Sequence, residues 1–361
     1  GNGTNIKAIT SPVVRAHAYL VAKVNQIPLR TIMEIVEPHG YRDLGFDTAI
    51  NGPVKVEWGG PAADIADTVQ VDGDLTFRPT GVVRRGALDN VPVSGEAHAH
   101  YDGSREVVNI QSVTLTTPQS SVQASGVLGV NDGDPLTNLR AEMVVHDLGE
   151  YDQLLQTLGF SANGKKGAAA IPVTLHGGLV FQGSVTGRAA DLDFKGHLQG
   201  TNIEVKLDNS FDTQIDSLVA DAEYSFDSGL AIATSTIERG TAVLNVSGTL
   251  RPRREVSKRG TATYVWDGGT SVDADVKLTN AQLTDVLQMV GQQQIPVTGE
   301  IATTAHVAGA LDDLNGEGEI SLKKGVAYGE SYESAVANLQ VHGQDFEASQ
   351  VVLLLYGSRI T

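Results

Sequence analysis

Apolar and polar residues alternate along most of this chain. Residues 16–24, 242–250 and 272–279 each place a small or branched apolar side chain at every second position. A period of two is typical of a β-strand with one buried face. Asp-Gly and Gly-Gly pairs follow many of these runs, as at 72–73 and 267–269, and they favour turns. The pattern predicts a mostly β chain of consecutive antiparallel strands.

Three short segments break this alternation. Residues 29–36, 151–158 and 283–290 carry apolar side chains at helical i, i+3, i+4 spacing. Each segment follows a predicted strand and is followed by a glycine, the residue that often ends a helix. The sequence therefore predicts three short helices at regular intervals.

The same order of elements recurs along the chain. Residues 139–148 with their helix match residues 272–281 with theirs, and both are followed by an identical Ile-Pro-Val-Thr at 171–174 and 295–298. Self-similarity at a long fixed interval predicts a repeat protein with a unit of about 125 residues. The predicted organisation is one continuous array, with unit 1 at 1–138, unit 2 at 139–271 and a truncated unit 3 at 272–361.

The composition suggests how such an array buries its apolar face. The 361 residues include 40 Gly but only 8 Phe, 9 Tyr and 2 Trp. Glycines inside strands favour bends and close backbone approach. Several of them fall on the apolar side of the alternation: Gly126, Gly177, Gly248, Gly299, Gly309, Gly316 and Gly318. The predicted fold is a long, curled, twisted antiparallel sheet whose concave apolar surface is incompletely filled by side chains.

Charge and cysteine content exclude several classes of protein. The net charge of −17 repels phosphate backbones and argues against nucleic-acid binding. The absence of Cys excludes disulfides and thiolate metal sites. No segment reads as a membrane-spanning helix or a signal peptide, and residues 350–358 read as a strand without a stop. We expect the sequence to be an internal fragment of a longer protein.

Motifs that carry chemistry are weak in this sequence. Residues 159–165 match the start of a phosphate-binding loop, but Lys166 stands where Ser or Thr is needed, so a plain loop is favoured. His98 and His100 lie on one strand face at a spacing that can chelate zinc, although a solvent-facing pair is favoured. Nucleophile and zinc-protease motifs are absent. We therefore predict no catalytic residues, no metal and no cofactor.

A basic cluster interrupts the acidic chain between two predicted strands. It consists of Arg251, Arg253, Arg254, Lys258 and Arg259. Such a cluster suits lipid headgroups or an acidic partner. A solvated hairpin loop is the favoured interpretation.

The order of these motifs resembles that of AsmA-like and TamB-like proteins, the bacterial members of the bridge-like lipid-transfer group. The shared order is a strand, a Leu-x-x-Leu-Leu helix, Ile-Pro-Val, a Val-x-Gly strand (185–187, 307–309) and a strand ending in Ser-Gly-x-Leu (125–128, 247–250). The resemblance implies a taco-shaped β half-pipe with a hydrophobic groove for acyl chains. It also implies a periplasmic location, an inner-membrane anchor outside this chain, and partners at both membranes, including an outer-membrane barrel, through parts outside it.

The predicted function is a non-enzymatic conduit that carries phospholipid acyl chains between inner and outer membranes. The groove is predicted from the apolar member of each alternation: Ala16, Ala18, Leu20, Val173, Leu175, Leu179, Val205, Leu244, Val246, Val276 and Val307. One alternative is a periplasmic assembly factor for outer-membrane β-barrels or secreted proteins. Others are a structural or adhesive β-solenoid, whose repeat is far shorter, and a carbohydrate-active β-helix enzyme, for which the aromatics are too few.

Overall fold

The fold is described from a computed structural model of the chain. It describes residues 17–31, 46–59, 66–81, 91–130, 137–151, 161–162, 165–166, 173–188, 191–207, 211–225, 227–256, 262–289, 292, 294–343, 345–356 and 358–360.

One sheet of eighteen antiparallel strands dominates the structure. Each strand pairs with the next one along the chain, so the sheet is a continuous meander that runs from β1 to β18 without closing. The strands are β1 His17–Pro28, β2 Ala49–Gly59, β3 Gln70–Arg78, β4 Ser94–Asp102, β5 Val107–Thr116, β6 Ser120–Gly129, β7 Thr137–Val145, β8 Val173–Arg188, β9 Asp191–Leu207, β10 Phe211–Ser225, β11 Gly229–Arg239, β12 Ala242–Arg251, β13 Ser271–Gln282, β14 Glu300–Ala310, β15 Asp313–Ala327, β16 Glu330–His342, β17 Asp345–Leu355 and β18 Ser358–Ile360.

Small elements lie in the connections between these strands. The helix α1 is Leu283–Met289, and two 3-10 turns are Ala66–Thr68 and Leu148–Tyr151. Three short strand pairs also occur, namely Phe46–Asp47 with Val91–Pro92, Ser161–Ala162 with Lys165–Lys166, and Arg253–Val256 with Ala262–Val265. The predicted helix at 283–290 is therefore confirmed. Residues 29–31 are helical and 148–151 form a 3-10 turn, whereas 32–36 and 152–158 lie outside the described residues.

The first strands of the three predicted units are β1, β7 and β13, which are six strands apart. The helical segments follow these same strands, at 29–31, at Leu148–Tyr151 and at α1. The unit boundaries themselves stay a prediction from the sequence.

The two faces of the sheet differ sharply in exposure. Val272 and Ala274 are 8% and 7% exposed, whereas the side chains of the intervening Asp273 and neighbouring Asp275 are 69% and 75% exposed. We call the face that carries Val272, Ala274 and Val276 the apolar face, and the opposite one the polar face. Because no second layer covers this sheet in the described residues, the curl of the sheet itself shields the apolar face.

Exposed side chains on the apolar face show that this shielding is incomplete. Leu20 and Phe194, which the strand registers place on this face, are 54% and 40% exposed. The predicted fold class is confirmed: a mostly β, curled antiparallel half-pipe with few and short helices.

Glycines permit close contact between consecutive units. Gly126 and Gly248 have φ of +131° and +150°, a region that residues with a side chain rarely adopt. A Cβ at Gly126 would lie 2.3 Å from the Asn138 oxygen, and one at Gly248 would lie 2.2 Å from the Asp273 oxygen. The glycine of the Ser-Gly motif therefore allows the first strand of the next unit to pack closely against it.

A small hydrophobic core lies where β13 passes into α1. Ala281, Leu283 and Ile301 are buried there, and Val286 and Leu287 of the helix pack against them. The helix thus covers the end of the apolar face at this point.

Candidate functional site

The structure places the predicted groove residues on one face of the sheet. Through the strand registers, nine described side chains share the apolar face: Ala18, Leu20, Leu175, Leu179, Val205, Leu244, Val246, Val276 and Val307. Ala16 lies outside the described residues, and so does the side chain of Val173, although its backbone belongs to β8. The role of these residues stays a prediction.

These side chains form rows that cross the sheet rather than a single pocket. One row runs Val246, Val276, Ala305, Gly318 and Leu339, each directly opposite the next across β12 to β16. Directly opposite residues of antiparallel strands lie on the same face. The apolar surface is therefore continuous across strands.

The groove residues are neither core nor fully solvated. Leu20 is 54% exposed, and the other side chains of the set that the structure describes are half-buried. A side chain in this range still has apolar area to remove from water, and removing it is favourable. The face is thus able to bind a further apolar molecule.

A kink at Asn202 keeps the apolar face continuous. Strict alternation would place Gly200 and Val205 on opposite faces, but Asn202 has a φ of +50° and shifts the pattern by one residue. Ile203 consequently packs over Gly200, where a Cβ would lie 2.3 Å from its Cδ1 atom. The only sequence signal for this bend was the residue type, because Asn tolerates a positive φ better than most residues.

An aromatic ring covers the backbone where two glycines face each other. Gly183 of β8 is directly opposite Gly196 of β9. A Cβ on either would meet the Phe181 ring, at 2.6 Å from Cζ and 2.7 Å from Cε2. The sequence alone does not indicate this role of Phe181, because it depends on the register of the two strands.

The polar face is crossed by histidine–aspartate pairs. Nδ1 of His98 lies 2.7 Å from Asp74 Oδ1, and Nδ1 of His100 lies 2.7 Å from Asp72 Oδ1. Among the described residues no group of three His, Asp or Glu is arranged to hold a metal ion. The geometry gives each of these histidines a hydrogen-bonding role between β3 and β4.

Two open depressions of about 920 and 1190 Å³ lie on the sheet. The first extends from β11 to β17 and the second from β5 to β9, and each is lined by apolar residues together with their polar neighbours along the strands. Each depression is a long, open surface that crosses several strands.

Two other sequence motifs fall only partly within the described residues. The loop-like motif at 159–165 falls largely outside the described residues, apart from 161–162 and 165. Arg251, Arg253 and Arg254 of the basic cluster are described, whereas Lys258 and Arg259 are not. In the part of the chain that the structure covers, no helix has the length and apolar character needed to cross a membrane.

Comparisons with protein-family models, with curated proteins and with solved structures found no match. The resemblance to AsmA-like and TamB-like proteins therefore rests on the order of the sequence motifs.

Proposed function

We propose that this chain is a lipid-binding conduit, in which the apolar face of the sheet holds phospholipid acyl chains and lets them move along it. The observation that carries the proposal is the continuous, half-covered apolar face of an eighteen-strand sheet. The periplasmic location, the anchor and the membrane partners belong to the same proposal and rest on the sequence resemblance.

The energetics of acyl-chain burial favour this function. Each CH₂ group that leaves water contributes about 0.8 kcal/mol, so a sixteen-carbon chain contributes on the order of 10 kcal/mol. The rows consist mostly of Val, Leu, Ala and Gly. Their buried hydroxyls, Thr213 and Ser235, already hydrogen-bond within the protein, Thr213 accepting from Arg239 and Ser235 donating to the Val246 carbonyl. Neighbouring rows are chemically similar, so an acyl chain can slide from one to the next without catalysis.

The length of the face suits transport over a distance. Eighteen strands at about 4.8 Å spacing extend roughly 80 Å along the sheet. The polar face carries exposed carboxylates such as Asp273, Asp275 and Glu317, which keep an open half-pipe in solution.

Lipid recovery tests the proposal directly. The purified chain is analysed by native mass spectrometry, and its bound lipids are extracted. We expect several phospholipids per chain and displacement of a fluorescent fatty acid. A chain that carries no lipid and takes up no fatty-acid probe would contradict the proposal.

Matched substitutions locate the binding face. Val246→Asp places a charge on the apolar face. Ser247→Asp places the same charge at the next residue of β12, on the polar face. Leu175→Asp and Thr174→Asp repeat the comparison in β8. Burying a charge among acyl chains is costly, so we expect at least tenfold weaker fatty-acid binding for Val246→Asp and Leu175→Asp alone. Circular dichroism confirms the retained fold, and equal losses on both faces would contradict the assignment.

A second candidate is suggested by the exposed end of the sheet. Among the described residues β1 pairs with β2 only, and its Tyr19 and Val21 are 73% and 63% exposed. An edge strand of this kind can accept another extended chain. An assembly factor for β-barrel proteins would use such an edge. Cross-linking from position 21 to an unfolded barrel segment, without any bound lipid, would favour it over the conduit.

A further inference from the structure

A hairpin projects between β12 and β13, in the most basic part of the chain. Its two strands, Arg253–Val256 and Ala262–Val265, pair with each other and not with the main sheet. Of the 26 basic residues of the chain, five lie within 251–267, whereas only two of the 43 acidic residues do. The hairpin is thus a local positive site on a strongly negative molecule.

On one side of the hairpin, Arg253 forms ion pairs with both of these acidic residues. Arg253 Nη2 lies 2.6 Å from Asp267 Oδ2, and Arg253 Nη1 lies 2.8 Å from Glu255 Oε1. The hydrogen bond from Arg253 holds the pKa of Asp267 below its usual value. The carboxylates of the segment are therefore engaged on the side of Arg253.

The other side of the hairpin has a different composition. Arg254 is directly opposite Tyr264, and Val256 follows Arg254 on the same side of its strand. Arg254 is exposed, Val256 is 57% exposed, and within the described residues Arg254 has no ion pair with a carboxylate. This side combines an accessible cation with an apolar side chain and a tyrosine.

A second aromatic pair lies at the base of the hairpin. Trp266, which follows its second strand, stacks on Tyr224 of β10 with ring centroids 6.5 Å apart and an interplanar angle of 22°. Trp and Tyr are the residues that favour the boundary between lipid and water. Basic, apolar and aromatic side chains are therefore grouped at one rim of the sheet.

We propose that the Arg254 side of this hairpin docks the molecule on an anionic lipid surface. Lipid phosphates attract Arg254, while Val256 and Tyr264 enter the headgroup layer. Electrostatic screening acts over about 8 Å at physiological salt, so the hairpin is attracted even though the distant carboxylates are repelled. The molecule consequently approaches the surface with this rim first. The inference goes beyond the proposed conduit and does not depend on it.

Vesicle flotation tests the docking with the complete chain. Vesicles of phosphatidylcholine are compared with vesicles that contain 30% phosphatidylglycerol, at about 0.05 M and 0.5 M salt. We expect binding to the anionic vesicles only, and its loss at high salt. Equal binding to both vesicle types, or no binding to either, would overturn the proposal.

Substitutions assign the effect to the hairpin. One basic residue near an anionic surface contributes about fivefold in binding, so Arg254→Glu is expected to weaken vesicle binding about 20-fold. Lys323→Glu, an equal change of charge in β15, is the control and is expected to cause less than a threefold loss.

Val256→Asp is a second variant that is expected to weaken vesicle binding while Arg254 is retained. If Arg254→Glu binds vesicles as the wild type does, the proposal fails. If an acidic protein competes for Arg254 while anionic vesicles do not bind, the partner is a protein and the lipid surface is excluded. Fatty-acid uptake measured on the same variants reports on the conduit separately, because Arg254→Glu leaves the apolar face unchanged.

Discussion

Individual side chains on the polar face connect neighbouring strands through histidine–aspartate pairs. His98 with Asp74 and His306 with Asp275 are directly opposite each other in adjacent strands, and their ring and carboxylate atoms lie 2.7 and 2.9 Å apart. These groups are exposed, so each pair contributes modestly to stability. For His306, whose pKa the pair raises, this contribution depends on pH.

His306 provides a test at the scale of one residue. The hydrogen bond with Asp275, together with the charges of Asp275, Asp273 and Glu317, raises the pKa of His306 against the opposing effect of burial. A raised pKa in the folded state stabilises the fold fully below the unfolded value of about 6.5, and this stabilisation is lost as the pH rises through the folded value. We expect Asp275→Asn to lower the pKa of His306 in an NMR titration and to destabilise the chain near pH 6 but not near pH 9.

Glu319→Gln serves as the control for this experiment. It removes an exposed carboxylate from the same face that forms no ion pair with His306 in the described structure. An equal loss of stability for both variants at pH 6, or no change in the titration of His306, would show that the pair with Asp275 has no such effect.

At the scale of elements, a short helix and a strand end together form the local core of the third unit. Leu283, the first residue of α1, is 9% exposed and packs with Ala281 and Ile301. A helix of seven residues is too short to be stable alone. Its stability therefore comes from this contact with the sheet.

Leu283→Ala tests that contact. Leu-to-Ala changes in a core cost about 2–5 kcal/mol, and we expect a value near 2 kcal/mol, because the site is small and partly open. Urea unfolding measures the cost, and hydrogen exchange within 283–289 is expected to accelerate. Thr284→Ala alters the exposed neighbour and is expected to change stability by less than 0.5 kcal/mol. If the two variants lose similar stability, α1 is not held by the core.

The sequence allowed the strands and their faces to be predicted because one face of each strand is apolar. It did not reveal Asn202, whose left-handed backbone shifts the alternation by one residue. Nor did it reveal that Phe181 covers Gly183 and Gly196, since that contact follows from the pairing of β8 with β9. The alternation within one strand therefore predicts which side chains share a face of the sheet. Bends, and contacts of one side chain with the neighbouring strand, depend on the register in which the strands pair.

At the scale of the whole molecule, the sheet is long, and within the described ranges it has no second layer packed on it. A compact protein of this length would have a radius of gyration of about 21 Å. Eighteen strands spaced by about 4.8 Å form a body roughly 80 Å long, for which we expect a radius of gyration of at least about 25 Å. Small-angle X-ray scattering measures this value. A radius near 21 Å with a spherical distance distribution would contradict the half-pipe.

The six-strand interval between β1, β7 and β13 has a consequence for how such a molecule changes in length. Six is even, so every unit begins with a strand that runs in the same direction and starts at the same border of the sheet. A unit can then be duplicated or lost without inverting the units after it, and the apolar side chains of all units keep facing the same way. An odd number would turn each successive copy upside down. Because the count is even, gene duplication can lengthen the half-pipe by one unit at a time.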